Sequence, residues 1–247
     1  MGFLRGKTCN GLFTNFAKKK NSLGEASIQL PRAQHADTGM NDNIEMKEEV
    51  LLPVMEAFYT LQGEGMHNGR AAYFIRLGGC DVGCHWCDVK ESWDAAAHPK
   101  LPVGQIVSEA SQYPGRLAVI TGGEPLMYDL GELTLRLQSE GFQTNIETSG
   151  VYPLSGNWDW ICFSPKKFKE PHPGIYEAAD ELKVIIFNKS DFEFAEHHAQ
   201  KVSDDCHLIL QVEWSKREQM MGQVIDYIMK NPRWRMSLQT HKYMNIP

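Results

Sequence analysis

The stretch that decides the fold is residues 71–87, which read AAYFIRLGGCDVGCHWC. Its first seven residues, Ala71 to Leu77, carry aromatic and β-branched side chains and predict a buried strand. A glycine-rich loop follows and holds Cys80, Cys84 and Cys87 in a C-x3-C-x2-C spacing. Three thiolates on a short loop can wrap one face of a [4Fe-4S] cluster and leave the fourth iron without a protein ligand. The stretch therefore predicts a cluster-binding loop directly after a strand.

Beyond this stretch, short β-rich runs alternate with amphipathic runs. The alternation predicts an α/β fold with parallel strands joined by crossover helices. The predicted strands are Ala71 to Leu77, Leu117 to Thr121, Gln143 to Thr148, Trp160 to Phe163, Leu182 to Ile186, His207 to Val212 and Arg235 to Leu238. Unusual polar motifs come directly after strands, and in α/β barrels the carboxyl ends of the strands carry the active site. We therefore expect these motifs to meet in space.

Four amphipathic runs predict the helices. They begin near Pro102, at Asp129, at Asp191 and at Ser215. The second is expected to end at the cap residue Gly141, and the third at Val202. The fourth is expected to begin with a capping box between Ser215 and Glu218 and to end before Pro232. The apolar positions expected to be buried in the first and fourth helices are Val103, Ile106, Val107, Ala110, Met221, Val224, Ile225 and Ile228.

Length, charge and cysteine content exclude several classes of protein. A chain of 247 residues suits one domain better than two. The net charge of -6 has the wrong sign for direct binding of nucleic acid through a broad basic surface, and it favours a small-molecule substrate. No apolar run of about 18 residues predicts a membrane span. Of the six cysteines, three lie within eight residues, which indicates a metal site in a reducing, cytoplasmic setting rather than disulfides.

Residues 1–50 differ in composition from residues 51–247. They contain the run Lys18 to Lys20 and no sustained apolar period, so we predict a disordered extension before one core domain. The first 24 residues carry five basic and no acidic side chains, which imitates a transit peptide without an amphipathic helix. An equally good interpretation of this segment is that translation of the protein starts at Met46 or Met55.

Two motifs resemble those of the radical S-adenosylmethionine (SAM) superfamily. The first is the C-x3-C-x2-C loop, where the resemblance implies a cluster that binds SAM and an aromatic residue, Trp86, near the adenine. The second is Thr121 to Pro125, sequence TGGEP, which follows a predicted strand. Alone it reads as a tight turn. The resemblance implies that its backbone and Glu124 bind the SAM amino group, with glycines that permit close approach.

Over residues 55–247 the chain also resembles one branch, the 7-carboxy-7-deazaguanine synthase (QueE) family. The segments that carry this resemblance are Phe58 to Gly65, Phe74 to Leu77 and Ser237 to Tyr243. It implies a partial, truncated (β/α) radical SAM barrel. It also implies a lyase that converts 6-carboxy-5,6,7,8-tetrahydropterin to 7-carboxy-7-deazaguanine and ammonia in 7-deazapurine (queuosine and preQ0) biosynthesis, with SAM regenerated.

The resemblance to this family implies roles for individual residues. Cluster ligands would be Cys80, Cys84 and Cys87. Cofactor contacts would come from Trp86, Asp88, Gly123, Glu124, Glu147, Ser164, Pro165 and Lys166. Substrate contacts would come from Leu61, Gln62, Gly63, Arg76, Thr121 and Pro247. The guanidinium of Arg76 can grip a carboxylate with two parallel N–H donors.

One position departs from the family pattern. Members that use Mg²⁺ have a hydroxyl residue two places after the last cluster cysteine, where this chain has Val89. A hard cation prefers oxygen ligands, which an isopropyl group does not offer. Asp88, substrate oxygens or water could still bind the ion, so the sequence leaves the use of Mg²⁺ as a cofactor open.

Two alternatives and two partners complete the predictions. A glycyl-radical-enzyme activase would use the same cluster and SAM motifs on a protein substrate. A non-catalytic zinc-binding module would take His85 or Asp88 as a fourth ligand. The expected partners are a flavodoxin or ferredoxin-type electron donor and a second copy of the chain, because a homodimer would cover the open edges of an incomplete barrel.

Overall fold

The computed structural model describes residues 49–247. The predicted disordered extension, residues 1–50, lies outside the described residues except for its last two positions. Val50 is half-buried and packs against the core, and the first strand begins at the next residue.

Nine strands form one sheet in the order β3-β1-β2-β4-β5-β6-β7-β8-β9. Their bounds are β1 Leu51–Leu61, β2 Ala71–Leu77, β3 Lys100–Pro102, β4 Leu117–Gly122, β5 Gln143–Thr148, β6 Trp160–Phe163, β7 Glu181–Ile186, β8 His207–Val212 and β9 Trp234–Ser237. The seven predicted strands are confirmed, each within one residue, and they pair in parallel. The sheet also contains two strands that the sequence did not predict, β1 and β3, and β1 pairs antiparallel with both β2 and β3.

Six helices connect or follow the strands in the described residues. They are α1 Val103–Ala110, α2 Gly131–Ser139, α3 Ile175–Ala178, α4 Ser190–Ala199, α5 Arg217–Lys230 and α6 Thr240–Met244. The four predicted helices correspond to α1, α2, α4 and α5. All four apolar positions predicted for α1 are buried. The short helices α3 and α6 were not predicted, since four or five residues give no helical period to read.

The predicted start of α5 is wrong. Ser215 lies inside a short 3-10 turn, Trp214–Lys216, and its backbone N–H is accepted by the carboxylate of Glu213 at 3.1 Å. The side chain of Glu218 is 91% exposed and forms no capping box. The buried residues of α5 are Met220 and Val224; of the other predicted positions, Met221 and Ile228 pack partly against the core and Ile225 is 47% exposed.

The two faces of the sheet differ in chemistry. Side chains alternate between faces along each strand. On the outer face, apolar residues such as Ile75, Ile120 and Val184 are fully buried in the main core with the helices. On the inner face, positions such as Arg76 and Lys183 border a cavity. The fold thus keeps its apolar core outside the barrel and leaves polar groups inside it.

The sheet is an open, partial barrel, as predicted, and the segment 62–70 spans its gap. The carbonyl of Gly63 accepts a hydrogen bond from the backbone N–H of Thr240 at 2.9 Å. The backbone N–H of Gly65 donates to Ser237 Oγ of β9 at 2.9 Å. A side chain at Gly65, where φ is 65°, would place its Cβ 2.3 Å from the carboxylate of Glu181, so this crossing needs glycine.

In the part of the chain that the structure describes, no helix has the length and apolar character needed to cross a membrane.

Candidate active site

A cavity of about 270 Å³ opens at the carboxyl ends of the parallel strands. With one exception, every residue predicted to contact cluster, SAM or substrate lines it. Those residues are Leu61, Gln62, Gly63, Arg76, Cys80, Cys84, Trp86, Cys87, Asp88, Thr121, Gly123, Glu124, Glu147, Ser164, Lys166 and Pro247. Pro165 is buried but does not line the cavity. The convergence expected from the strand-end motifs is therefore present.

The cysteine loop is anchored at its base. The backbone N–H of Cys80 donates to Trp93 O at 3.1 Å, and that of Gly79 donates to Ser92 O at 2.6 Å. Tyr128 Oη donates to Gly78 O at 2.7 Å. These bonds hold the start of the loop and leave the three thiols at the cavity wall.

The thiols are free and partly buried. Burial raises the pKa of the Cys84 thiol to about 11 and raises that of Cys80 as well. Ligation by a metal stabilises the thiolate, so cluster binding would release these protons. Across residues 49–247, no three His, Cys, Asp or Glu side chains converge to hold a single ion. Three thiols on one loop can each bind a separate iron of a cubane, so the donor set fits the cluster.

The two glycines of the TGGEP motif pack directly on the cysteine loop. The Cβ of any residue replacing Gly123 would lie 2.1 Å from the carbonyl oxygen of Gly79. Gly122 has a φ of 137°, and a Cβ there would lie 2.2 Å from Leu77 O. The backbone N–H of Gly123 donates to the same Leu77 oxygen at 2.9 Å. Glycine is therefore required here for close packing of two loops.

The carboxylate of Glu124 accepts several hydrogen bonds from the chain itself. The residue is 1% exposed, and its Oε1 accepts from Leu126 N at 3.0 Å and from Thr148 Oγ1 at 2.5 Å. Its Oε2 accepts from the backbone N–H of Ser149 at 2.8 Å and from the Ser149 hydroxyl. The carboxylate thus ties the loop after β4 to the end of β5, and the SAM contact expected of this cavity-lining residue stays a prediction.

Lys166 follows β6 and approaches the aromatic residue of the cysteine loop. Its Nζ donates to the carbonyl and hydroxyl oxygens of Ser164 at 2.6 Å each, and it lies 5.8 Å from the centre of the Trp86 ring. Burial lowers the pKa of Lys166. This cluster of polar and aromatic groups borders the cavity beside the cysteine loop.

Arg76 stands on the inner face of β2 and presents part of its guanidinium to the cavity. Its Nε is paired with Glu56 at 2.7 Å, and its side chain is 19% exposed. The neighbouring rings of Phe58 and Phe74 stack with centres 5.4 Å apart. Thr121 on β4 is its partner in the parallel register. Among the described residues, no acceptor lies within hydrogen-bond distance of the two terminal nitrogens, which remain available for an anion.

The floor of the cavity holds a buried ionic network that the sequence predictions missed. Lys183 of β7 is 3% exposed, and its Nζ lies 2.7 Å from Glu64 Oε2 and 2.9 Å from Glu147 Oε2. Gln62 Nε2 donates to the other oxygen of Glu147 at 2.9 Å. Gln239 Nε2 donates to Glu64 Oε1 at 2.9 Å. A lysine inside the predicted strand Leu182 to Ile186 was the available signal, because a charge in an apolar run needs a buried partner.

The network sets the charge state of its members. Burial by itself would raise the pKa of Glu64, but attraction to Lys183 and hydrogen bonds from Lys183 and Gln239 outweigh it and lower the pKa to about 2. Burial would lower the pKa of Lys183, yet the surrounding anionic groups raise it well above its usual value. Glu64 and Lys183 are therefore both ionised at neutral pH. In the described residues, Gln239 Oε1 is buried without a donor.

The carboxyl-terminal segment forms the last wall of the cavity. His241 packs against Gly63, where a Cβ would lie 2.4 Å from the imidazole. Lys242 Nζ pairs with Asp88 at 2.9 Å, which links α6 to the cysteine loop. The carbonyl of Pro247 accepts a long hydrogen bond from Thr60 Oγ1 at 3.5 Å. Residues from both ends of the described chain thus enclose one cavity.

Comparison with known proteins assigns this fold and its cysteine loop to a class. The family model described as the Radical SAM superfamily matches residues 74–186. The crystal structure of QueE from Escherichia coli superposes with a TM-score of 0.69 and 31% identity, covering 76% of this chain and 93% of that chain. The class is therefore that of radical SAM proteins.

Relatives found by sequence comparison identify one family within this class. The 7-carboxy-7-deazaguanine synthase of Flavobacterium psychrophilum is 59% identical over 204 residues, which cover 83% of this chain and 97% of the relative. The 7-carboxy-7-deazaguanine synthase of Synechocystis is 49% identical over 197 residues, covering 80% and 94%. The chain belongs to the 7-carboxy-7-deazaguanine synthase family.

Proposed function

We propose that the protein converts 6-carboxy-5,6,7,8-tetrahydropterin to 7-carboxy-7-deazaguanine with release of ammonia, as a radical SAM lyase of 7-deazapurine biosynthesis. The observation that carries this proposal is the 59% identity across 97% of a relative named for this product. A glycyl-radical-enzyme activase would act on a protein, whereas this cavity of about 270 Å³ suits a small bicyclic acid.

The residues at the cavity wall fit the two cofactors. Three thiols on one loop would hold a [4Fe-4S] cluster, and the backbone at Gly123 with Ser164 and Lys166 would hold SAM. When bound, this pair supplies a 5′-deoxyadenosyl group that abstracts hydrogen from the substrate. Glu124 positions the loop that carries Gly123, since its carboxylate is fully engaged by the chain.

Arg76 would hold the substrate carboxylate. Its Nε is paired with Glu56, which fixes the orientation of the guanidinium, and the residue lines the cavity. Two parallel N–H donors recognise a carboxylate with defined geometry. A fixed clamp at one end of the substrate would set which ring hydrogen faces the radical.

Glu147 and its neighbours would read the amide and amine edge of the pterin. Glu147 is a carboxyl acceptor at the cavity floor, held by Gln62 and Lys183. Gln239 Oε1, which has no donor among residues 49–247, adds an acceptor, and Thr121 adds a hydroxyl beside Arg76. These acceptors match the N–H donors of a pterin ring. Lys183 would act as a positioning residue, because it orients Glu147 without needing to contact substrate.

The test is anaerobic reconstitution followed by incubation with dithionite, SAM and 6-carboxytetrahydropterin, with product identification by mass spectrometry. We expect 7-carboxy-7-deazaguanine from the wild type and none from Cys84→Ala. SAM cleavage to 5′-deoxyadenosine without this product would retain the class and reject the substrate. A colourless protein with bound zinc would reject both.

Three finer features are also proposed. Mg²⁺ would bind substrate oxygens and water, since Val89 offers no ligand and Asp88 is paired with Lys242; turnover with and without chelator measures this dependence. A homodimer would cover exposed edges of the open sheet, and light scattering of anaerobically purified protein at several concentrations measures its mass. The electron donor would be a flavodoxin or ferredoxin in a reducing, cytoplasmic compartment, consistent with five free thiols in the described residues.

A further inference from the structure

A second, much smaller cavity lies inside the barrel beneath the floor of the active site, toward the amino ends of the strands. Its volume is about 10 Å³, which is close to the space that one water molecule needs. Gln62, Glu64 and Glu147 line both this cavity and the large one, so a single layer of side chains separates the two. We call the smaller space the lower cavity.

The hydrogen-bond donors in the wall of the lower cavity are directed at carboxyl groups. Trp160 Nε1 donates to Glu181 Oε2 at 3.3 Å, and Cys162 Sγ donates to Glu181 Oε1 at 3.4 Å. Gln62 Nε2 donates to Glu147 Oε1 at 2.9 Å. Each carboxylate oxygen can accept more than one hydrogen bond, so the wall keeps acceptors to spare.

Asn145 of β5 supplies the acceptor that marks a binding site. The residue is 4% exposed and lines the lower cavity, and its Nδ2 lies 2.6 Å from His67 Nδ1. Its Oδ1 is buried and meets no donor among residues 49–247. Because a buried acceptor without a donor is unfavourable, a small ligand that donates a hydrogen bond to Oδ1 would be stabilised here.

The charge of the wall favours a cation. Glu64, Glu147 and Glu181 line the lower cavity, and none of its described lining residues is a lysine or arginine. Burial would raise the pKa of Glu64, but Lys183 lowers it to about 2, so this carboxylate is ionised. Burial lowers the pKa of His67, so its ring adds no positive charge at neutral pH.

The cation that suits this wall binds through hydrogen bonds. Across residues 49–247, no three His, Cys, Asp or Glu side chains converge closely enough to coordinate a metal ion. Ammonium is about as large as a water molecule, donates N–H bonds on every side and accepts none. It therefore matches the size, the spare acceptors and the charge of the lower cavity. Water matches the size but brings no charge to the carboxylates.

We propose that the lower cavity binds ammonium, the second product of the reaction. The inference rests on the proposed function, in which 6-carboxytetrahydropterin loses one ammonia and no other atom. The ammonia takes up one proton from water and is present as ammonium at neutral pH. Beneath the floor it would be separated from the ring that it left, and the mouth of the large cavity would remain free for the larger product.

The experiment detects ammonium bound to the reconstituted, oxidised protein without any turnover. The protons of free ammonium exchange rapidly with water at neutral pH, whereas those of enclosed ammonium exchange slowly and appear in ¹⁵N-edited proton spectra. We expect a bound signal when the wild type is titrated with ¹⁵N-labelled ammonium chloride. Asn145→Leu replaces the unpaired oxygen by a methyl group and should raise the half-saturating concentration by about tenfold or more.

Two further variants separate this effect from damage to the strand. Thr144 is fully buried on the opposite face of β5, where its hydroxyl donates to Asn157 O at 2.9 Å. Thr144→Val should leave ammonium binding within about threefold of the wild type, since this side chain does not line the lower cavity. Asn145→Asp keeps an acceptor and adds negative charge, so it should bind ammonium at least as tightly as the wild type.

Turnover gives a second readout. Ammonium chloride should lower kcat at saturating carboxypterin, because the substrate cannot displace a ligand held beneath the floor. Asn145→Leu should raise the inhibition constant by about tenfold. Tetramethylammonium chloride at the same ionic strength should not inhibit, since this cation is far larger than a cavity of about 10 Å³.

Three results would overturn the proposal. The first is the absence of a bound signal in the wild type, which would mean that the lower cavity holds water only. The second is an equal half-saturating concentration in Asn145→Leu and Thr144→Val, and the third is loss of the signal in Asn145→Asp. Failure of the proposed function is a separate result: it would appear as no 7-carboxy-7-deazaguanine from the wild type with dithionite, and it leaves the binding comparison intact.

Discussion

Replacing Lys183 by methionine tests whether the ionic network at the cavity floor holds the catalytic cavity together. Methionine keeps the length and apolar stem of lysine but removes the charge that lies 2.7 Å from Glu64 and 2.9 Å from Glu147. Two carboxylates would then share the cavity floor without a cation. Removing one partner of a buried ion pair costs about 3–5 kcal/mol, because the remaining charge is uncompensated. We expect the free energy of unfolding to fall by about this amount at pH 7.

The pH dependence of this loss identifies its cause. In the wild type, the lowered pKa of Glu64 contributes stability that is complete above its ordinary value of 4.5 and is lost as pH falls toward about 2. Without Lys183, burial would raise the pKa of the Glu64 carboxyl, so the variant gains stability as Glu64 begins to be protonated. The difference in unfolding free energy between wild type and Lys183→Met should therefore shrink between pH 7 and pH 5.

Anaerobic urea unfolding of reconstituted protein, followed by tryptophan fluorescence, measures both effects. Lys183→Arg keeps the charge and serves as the matched control. Lys183→Met/Glu64→Gln should recover part of the lost stability, because one of the two unpaired charges is removed. A loss below about 1 kcal/mol, or one that does not vary with pH, would show that the network is not coupled as the distances imply. If the protein is stable enough to assay, kcat should fall more than cluster content, since Glu147 loses its orientation.

Three further predictions concern other parts of the molecule. Arg76→Ala should lower kcat/KM for the carboxypterin by more than about tenfold, about 1.4 kcal/mol, with iron content unchanged; a smaller effect in steady-state kinetics contradicts the clamp. Burial lowers the pKa of His198 to about 4 from 6.5, so unfolding takes up a proton and wild-type stability should fall by up to about 3 kcal/mol between pH 6.5 and pH 4. His198→Phe should remove that decline in urea titrations, and an unchanged slope would exclude His198 as its source. Gly123→Ala should reduce iron bound per protein, measured by iron and sulfide analysis, because its Cβ would collide with Gly79 O at 2.1 Å; full cluster occupancy would contradict the close packing of the two loops.

Local patterns in the sequence were enough to predict the parallel strands and the positions of the motifs at their ends. The strands β2, β5, β6 and β8 match their predicted bounds, since alternation and flanking turn residues are read within a few positions. The strand β1 was missed because Pro53 and Glu56 interrupt its pattern and its register shifts between Val54 and Glu56. β3 is only three residues long and exists through its pairing with β1.

Two polar side chains have partners that the sequence did not indicate. The carboxylate of Glu124 accepts four hydrogen bonds, from Leu126, Thr148 and Ser149, which only the fold brings together. Ser215 and Glu218 match the pattern of a capping box, in which Glu218 would accept from the backbone N–H of Ser215. That N–H donates to the carboxylate of Glu213 instead. In both cases a polar group has several possible hydrogen-bond partners, and the sequence does not indicate which of them the fold brings within reach.

The sequence by itself determined the spacing of the three cysteines, the positions of the parallel strands along the chain and the polar motifs at the strand ends. Each of these features depends on neighbours a few residues apart. Only the tertiary structure decided that Lys183 lies between Glu64 and Glu147, which are 119 and 36 residues away in the chain. It also decided that His85 faces outward beside Phe168 and Phe187. Such contacts depend on strand register and on how residues 62–70 span the open barrel, and the energy of a buried charge depends on the groups that burial places around it.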